Sequence, residues 1–150
     1  MDQIDKKILD FLQKDAKLTA KEMAHKLSLT PTPIYERIKK MEKLGIIKSY
    51  VALLNAEKVD RGLTVFLNIT IKEHQLVPRQ KFINDINQLQ EVVELYHTSG
   101  SHDFLAKVRF ANIKEYRNFL VNDITSIQNI GDIDSQIVLE EVKSTTAIIL

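Results

Sequence analysis

The feature that most constrains this chain is a change in the spacing of its apolar residues around Asp60, Arg61 and Gly62. Before that turn, apolar side chains recur every three or four residues: Ile4, Ile8, Leu9, Phe11 and Leu12, then Met23, Ala24 and Leu27, then Ile34, Ile38 and Met41. Such spacing places them on one face of a helix, which repeats about every 3.6 residues. Beyond the turn, Val65, Leu67, Ile69 and Ile71 alternate with Thr64, Phe66, Asn68 and Thr70. A repeat of two describes a half-buried strand. The two periods occupy separate stretches of chain, which points to an α+β protein with a helical domain followed by one built on a sheet.

Local signals bound the elements. Asp2 is placed to cap the first helix, with Asp5 in its first turn, and this helix is predicted to end near Lys14. Thr19 and Glu22 have the spacing at which a hydroxyl and a carboxylate cap each other's backbone donors. In Thr30-Pro31-Thr32-Pro33 each threonine precedes a proline and is biased toward extended geometry, so Thr32 is predicted as N-cap with Pro33 at the first helical position. Gly45 supplies a left-handed stop after Leu44, and residues 46–54 read as an extended connection. After the first strand come a helix carrying Phe82, Ile83 and Ile86, entered at Pro78, and strands over 92–98 and 104–110. A second helix over 113–124 and a strand carrying Ile133, Ser135, Ile137 and Leu139 complete the series. The order is βαββαβ, the ferredoxin-like arrangement with both helices on one face of an antiparallel sheet. Domains are therefore expected at 1–50 (helix-turn-helix, winged-helix-like), 51–62 (linker strand or hinge) and 63–150 (ferredoxin-like). Neither domain is large enough to bury most of its surface alone, and the uncovered sheet face predicts a homo-oligomer.

Composition narrows the function. The net charge of +1 conceals an asymmetry: residues 1–50 hold 11 basic against 7 acidic side chains, and the remainder is net acidic. The absence of Cys excludes disulfides, thiolate zinc and thiol catalysis, and it fits a reducing compartment, with cytoplasm the expected location. The longest apolar runs have four residues, Val51 to Leu54 and Ala147 to Leu150, against the roughly 20 that span a bilayer. No signal peptide is expected, since charges recur from Asp2 onward.

Two short helices, a tight turn and a third helix with a basic outer face describe a helix-turn-helix, which lays one helix in the DNA major groove. With Ile34 at the centre of the buried face, Thr32, Glu36, Lys39, Lys40 and Lys43 fall on the opposite side, and Tyr35 and Arg37 on the flanks. A solvated face is the plain alternative, and the local positive charge favours DNA. Arg37, Lys39, Lys40 and Lys43 are expected to hold phosphates, while Thr30, Thr32, Tyr35 and Glu36 lie near the helix N-terminus, toward base edges. Ser101, His102 and Asp103 have the residue types of a hydrolase triad, but sequence neighbours rarely place a histidine between the other two. No set of three or four spaced ligands suggests a metal, and none is expected, nor any cofactor.

The run Leu27 to Ile47 (LSLTPTPIYERIKKMEKLGII), with Asp2, Asp5, Ile8 and Leu9, resembles the DNA-binding module of the Lrp/AsnC, or feast/famine, transcriptional regulators. The second half agrees. Gly100, Ser101, His102, Asp103 and Phe104 resemble the Gly-x-x-Asp-aromatic loop of that family's regulatory domain, and Lys143, Ser144, Thr145 and Thr146 its C-terminal signature. The resemblance implies a sequence-specific regulator binding double-stranded DNA as a homodimer, often assembled to an octamer. It also implies an amino-acid or related metabolite effector bound near Ser99, Gly100, Ser101, His102 and Asp103, with Thr145 and Thr146 as further candidates. His102 stands where many relatives have a bulky aromatic residue, and Ile148, Ile149 and Leu150 where a proline is common. The competing reading is an architectural protein that binds DNA nonspecifically and carries a metabolite-sensing domain.

Overall fold

In the computed structural model, which describes residues 1–150, α1 (Gln3–Lys14) begins where the sequence provides a reciprocal cap. The Asp2 carboxylate accepts the Asp5 backbone N–H at 2.9 Å, and the Asp5 carboxylate accepts that of Asp2, also at 2.9 Å. Two donors that no helical carbonyl could reach are thereby satisfied. α2 (Ala20–Leu27) opens in the same way, Thr19 accepting from the Glu22 N–H at 3.2 Å and Glu22 from the Thr19 N–H at 2.7 Å.

α3 (Pro31–Lys43) departs from expectation, because its N-cap is Thr30 rather than Thr32. Thr30 precedes Pro31 and is extended, at φ −86° and ψ 153°. Thr32 also precedes a proline yet lies in the helix. Pro33 falls in the first turn, where a backbone N–H would have no helical partner, so its missing donor costs nothing there. At the other end Gly45 adopts φ +69°, and the Gly45 and Ile46 N–H groups bond back to Glu42 O (3.0 Å) and Met41 O (2.9 Å). This is the paired closure that ends a helix at a left-handed glycine. Ile8, Leu9, Met23, Ala24, Ile34 and Met41 form the core among the three helices.

The chain divides into two compact units, residues 1–53 with 142–150 and residues 54–141. The tail at 142–150 therefore groups with the helices rather than with the sheet, unlike the expected domain 63–150. Gln13 accepts the Ile148 N–H at 2.6 Å and donates to its carbonyl at 3.0 Å. No strand forms within 51–62; a single 3-10 turn, Glu57–Val59, precedes the sheet.

The second unit runs β1 (Leu63–Ile71), α4 (Leu76–Ile86), β2 (Val92–His97), β3 (Phe104–Phe110), α5 (Ile113–Asn118) and β4 (Ile130–Ile137). The strands pair antiparallel in the order β2-β3-β1-β4, with β1 central and Phe66 opposite both Lys107 and Gln136. This is the βαββαβ arrangement expected from the periodicity. Val65, Leu67, Ile69 and Ile71 join Phe104, Ala106, Val108 and Phe110 in a core with Phe82, Ile86, Tyr116, Phe119 and Ile124 from the helical segments. α4 starts ahead of Pro78, for the same reason that α3 starts ahead of Pro33. Nor is the second helix one α-helix over 113–124: it passes into a π turn at Phe119–Asp123 and a 3-10 turn at Ile124–Ser126. Side chains five residues apart point about 140° away from each other on an α-helix, and the wider turn lets Phe119 and Ile124 both reach the core. No helix is long and apolar enough to cross a membrane.

Candidate nucleic-acid interface and effector loop

On α3 the helical repeat separates two sets of side chains. Ile34 and Met41 are buried, with Ile38 packed beside them, whereas Thr30, Thr32, Tyr35, Glu36, Lys39, Lys40 and Lys43 are all exposed. A helix end with free N–H groups, an exposed aromatic ring and three lysines presents the donors and charge that a nucleic-acid backbone attracts. Lys39 also pairs with Glu42 at 2.7 Å and lies 5.7 Å from the centre of the Tyr35 ring. Glu42 holds the Lys39 ammonium above its ordinary pKa, and Lys39 in turn lowers that of Glu42. The Tyr50 hydroxyl donates to the same carboxylate at 3.1 Å.

Arg37 stands apart from this set. It is half-buried, and its Nη1 donates to Asp2 Oδ2 at 2.7 Å and to Asp5 Oδ1 at 2.6 Å. The backbone N–H of Asp5, then Arg37, lower the Asp2 pKa. Burial pushes Asp5 upward, but the Asp2 N–H and Arg37 outweigh it and leave Asp5 lowered too.

In the sheet unit, Ser99 to Asp103 form the β2–β3 connection. Gly100 adopts φ +134°, a conformation that side-chain-bearing residues rarely enter. Ser99, Gly100 and Ser101 are exposed, while His102 and Asp103 are half-buried. The Asp103 carboxylate does not cap its own loop. Its Oδ2 accepts the Ile71 N–H at 2.8 Å, at the end of the neighbouring strand, and its Oδ1 lies 3.4 Å from His74 Nδ1. The Ser101 hydroxyl lies 3.1 Å from His102 Nδ1, so His102 does not bridge Ser101 to Asp103 as a hydrolase triad requires. Thr145 and Thr146 belong to the other unit, where the Thr145 hydroxyl accepts the Ala147 N–H at 3.1 Å.

Three residues absent from the expected site gather by the end of β1. Lys72, Gln128 and Asn129 line two adjoining concavities of about 460 and 330 Å³. Asn129, at φ +70°, accepts the Glu73 N–H at 2.8 Å and donates to the Glu73 carbonyl at 2.9 Å, tying the segment after β1 to the start of β4. An Asn just before a strand hints at such a turn, but its partner 56 residues away leaves no local trace. No group of three or more His, Asp or Glu side chains converges as metal ligands would.

Comparison with known proteins extends these observations. A winged helix-turn-helix DNA-binding family model matches residues 1–48, and the model of the Lrp/AsnC ligand binding domain matches residues 64–148. The chain is 37% identical over 150 residues to the leucine-responsive regulatory protein of Haemophilus influenzae, covering all of this chain and 90% of that one. An AsnC family transcriptional regulator from Agrobacterium tumefaciens superposes with a TM-score of 0.94 at 38% identity, over 99% of this chain and 96% of that one. A transcriptional regulator from Neisseria meningitidis, solved as a complex with L-Met, gives a TM-score of 0.94 at 31% identity, with the same 99% and 96% coverage.

Proposed function

The chain belongs to the Lrp/AsnC family of DNA-binding transcription regulators, and from that premise we propose that it recognises specific DNA sites and that an amino acid or related metabolite modulates this binding. The observation that carries the reading is the division of α3 into a buried apolar stripe and an exposed face bearing Thr32, Tyr35, Glu36, Lys39, Lys40 and Lys43. Thr32, Tyr35 and Glu36 stand near the helix N-terminus, the end that approaches base edges in helix-turn-helix complexes, and Lys40 and Lys43 neutralise phosphates farther along. Glu36 accepts from a cytosine amino group, a contact that discriminates between bases while repelling phosphate. The family is one of regulators and not of enzymes, which removes the hydrolase reading of Ser101, His102 and Asp103.

The effector site centres on the backbone of Gly100 to His102, where the absence of a Cβ on Gly100 allows close approach. The methionine bound by the Neisseria relative supports an α-amino acid as the class of ligand. Homodimers form through the sheet face that bears Phe66, Tyr96 and Leu105, since Tyr96 is 51% exposed and the helices cover only the opposite face. Isologous pairing of this kind presents two recognition helices, with octamers as the expected higher assembly.

The test is selection of duplexes from a random-sequence pool, followed by footprinting with and without each amino acid. Protection of discrete, two-fold-related sites, altered by at least one amino acid, is the expected result. Coverage that ignores sequence establishes the architectural reading instead, and discrete sites unaffected by any amino acid remove the effector.

A further inference from the structure

We propose that Arg37 is a positioning residue that sets the rotation of α3 against α1 through Asp2 and Asp5, and is not a phosphate ligand. The inference rests on the reading of α3 as the recognition helix.

The geometry is closed at every acceptor. Arg37 Nη1 carries two protons, and one goes to each carboxylate, at 2.7 and 2.6 Å. The remaining oxygen of each carboxylate takes the backbone N–H of the other aspartate, at 2.9 Å in both cases. The cap that starts α1 and the bridge to α3 are thus one assembly with each carboxylate oxygen partnered. Two aspartates held this close repel each other, and the guanidinium offsets that repulsion while joining two helices. One arginine and two aspartates still sum to −1, so the assembly as a whole does not attract phosphate. A phosphate drawing on Nη1 would leave both carboxylates uncompensated beside a polyanion.

The position of Arg37 explains why rotation matters. It adjoins Glu36 on the exposed face and Ile38 on the packed one, so fixing it fixes where the boundary between the two faces points. Helix side chains extend about 5–6 Å from the axis, and a rotation of roughly 20° moves their tips by about 2 Å. That displacement is several times the roughly 0.5 Å spread between the shortest and longest ordinary hydrogen bonds. Packing of Ile34 and Met41 alone tolerates such slippage better than a fork of charged hydrogen bonds does.

The experiment compares the full-length wild type with Arg37→Gln and with the double variant Asp2→Asn/Asp5→Asn, each checked for a native circular dichroism spectrum. Binding is measured between about 50 and 200 mM salt on two probes: a duplex that the wild type enriches from a random pool, and a 30-base-pair duplex of arbitrary fixed sequence. Both variants should lose about tenfold or more on the enriched duplex, the value of one well-placed base contact, with little loss on the fixed duplex and no change in salt slope on either. A slope reduced by about 0.9 in Arg37→Gln makes Arg37 a phosphate ligand and overturns the proposal. So does a steeper slope with tighter binding in Asp2→Asn/Asp5→Asn, which would mean a freed arginine had turned to DNA. If the wild type enriches no sequence, the specific-regulator reading fails first, and NMR titration of Asp2 and Asp5 then decides the clamp. In Arg37→Gln both carboxylates should titrate closer to ordinary values, and unchanged titration refutes the clamp.

Discussion

In the helical unit six apolar side chains are buried and none is aromatic, whereas the sheet unit buries fourteen, four of them phenylalanines. The smaller unit compensates with polar closures at its helix ends: the Asp2–Asp5 cap, the Thr19–Glu22 cap and the Arg37 bridge. The larger unit has one capped α-helix, α5, where Asn112 accepts the Glu115 N–H, and α4 starts with no side-chain cap at all. A unit this small buries a smaller share of its surface, so packing alone holds its helices less firmly. Directional bonds supply what volume does not, and α3, the proposed recognition helix, is held by them. The sheet unit has the opposite arrangement: a thick apolar layer lies behind the sheet, so that loops such as Ser99 to Asp103 can vary without unfolding it.

The largest effect is expected in that apolar layer. Phe104 is 2% exposed, its ring 4.9 Å from that of Phe82 and 5.0 Å from that of His97. Phe104→Ala should destabilise the sheet unit by about 3–5 kcal/mol, through lost burial and the cavity left behind. Urea unfolding followed by circular dichroism measures it, and a loss below about 1 kcal/mol would break the contrast between the units.

A smaller effect is expected where the β2–β3 loop, the proposed effector loop, joins the sheet. Asp103→Ala leaves the Ile71 N–H without its partner, at a cost of about 1–3 kcal/mol. Asp103→Asn retains an oxygen in the same place and should recover most of that loss. If both variants keep wild-type stability but lose amino-acid binding by calorimetric titration, Asp103 serves the ligand and not the strand.

The smallest effect, spread over exposed groups, is a difference in acid sensitivity. Asp2, Asp5, Glu22 and Glu42 are all lowered in the helical unit, against Glu94 alone among the sheet unit's carboxylates. A carboxyl lowered by folding stabilises the native state above its unfolded pKa, near 4, and that contribution disappears as pH falls toward the lowered folded value. Amide hydrogen exchange from about pH 6 down to about pH 2.5 should therefore show α1, α2 and α3 loosening before β1 and β3, with the change beginning below about pH 4. Earlier loosening of the strands would reverse the comparison.

What could be read from the chain follows the reach of its interactions. The Asp2 and Thr19 caps, the Gly45 stop, the exposed face of α3 and the βαββαβ order depend on residues within about four positions of one another, or on the repeat of apolar side chains. Both leave their mark in linear order. The differences at α3 and α4 are also local. Thr32 and Pro78 read as helix starts in the sequence, but a proline is tolerated anywhere in a first turn, so it places the start of a helix only to within that turn.

The amino-acid sequence by itself thus determined which segments are helix and strand, which face of α3 meets solvent and which family the chain resembles. The tertiary structure alone decided what the charged groups do. Arg37 meets acids 35 and 32 residues away, Asp103 reaches a backbone N–H 32 residues away, and Gln13 takes a carbonyl 135 residues away. An arginine on a helix flank has the same linear surroundings whether it points at phosphate or at a carboxylate. Apolar burial is periodic because backbone geometry is periodic, but the partner of a charge is set by where the chain returns, and that is fixed only once the fold has closed.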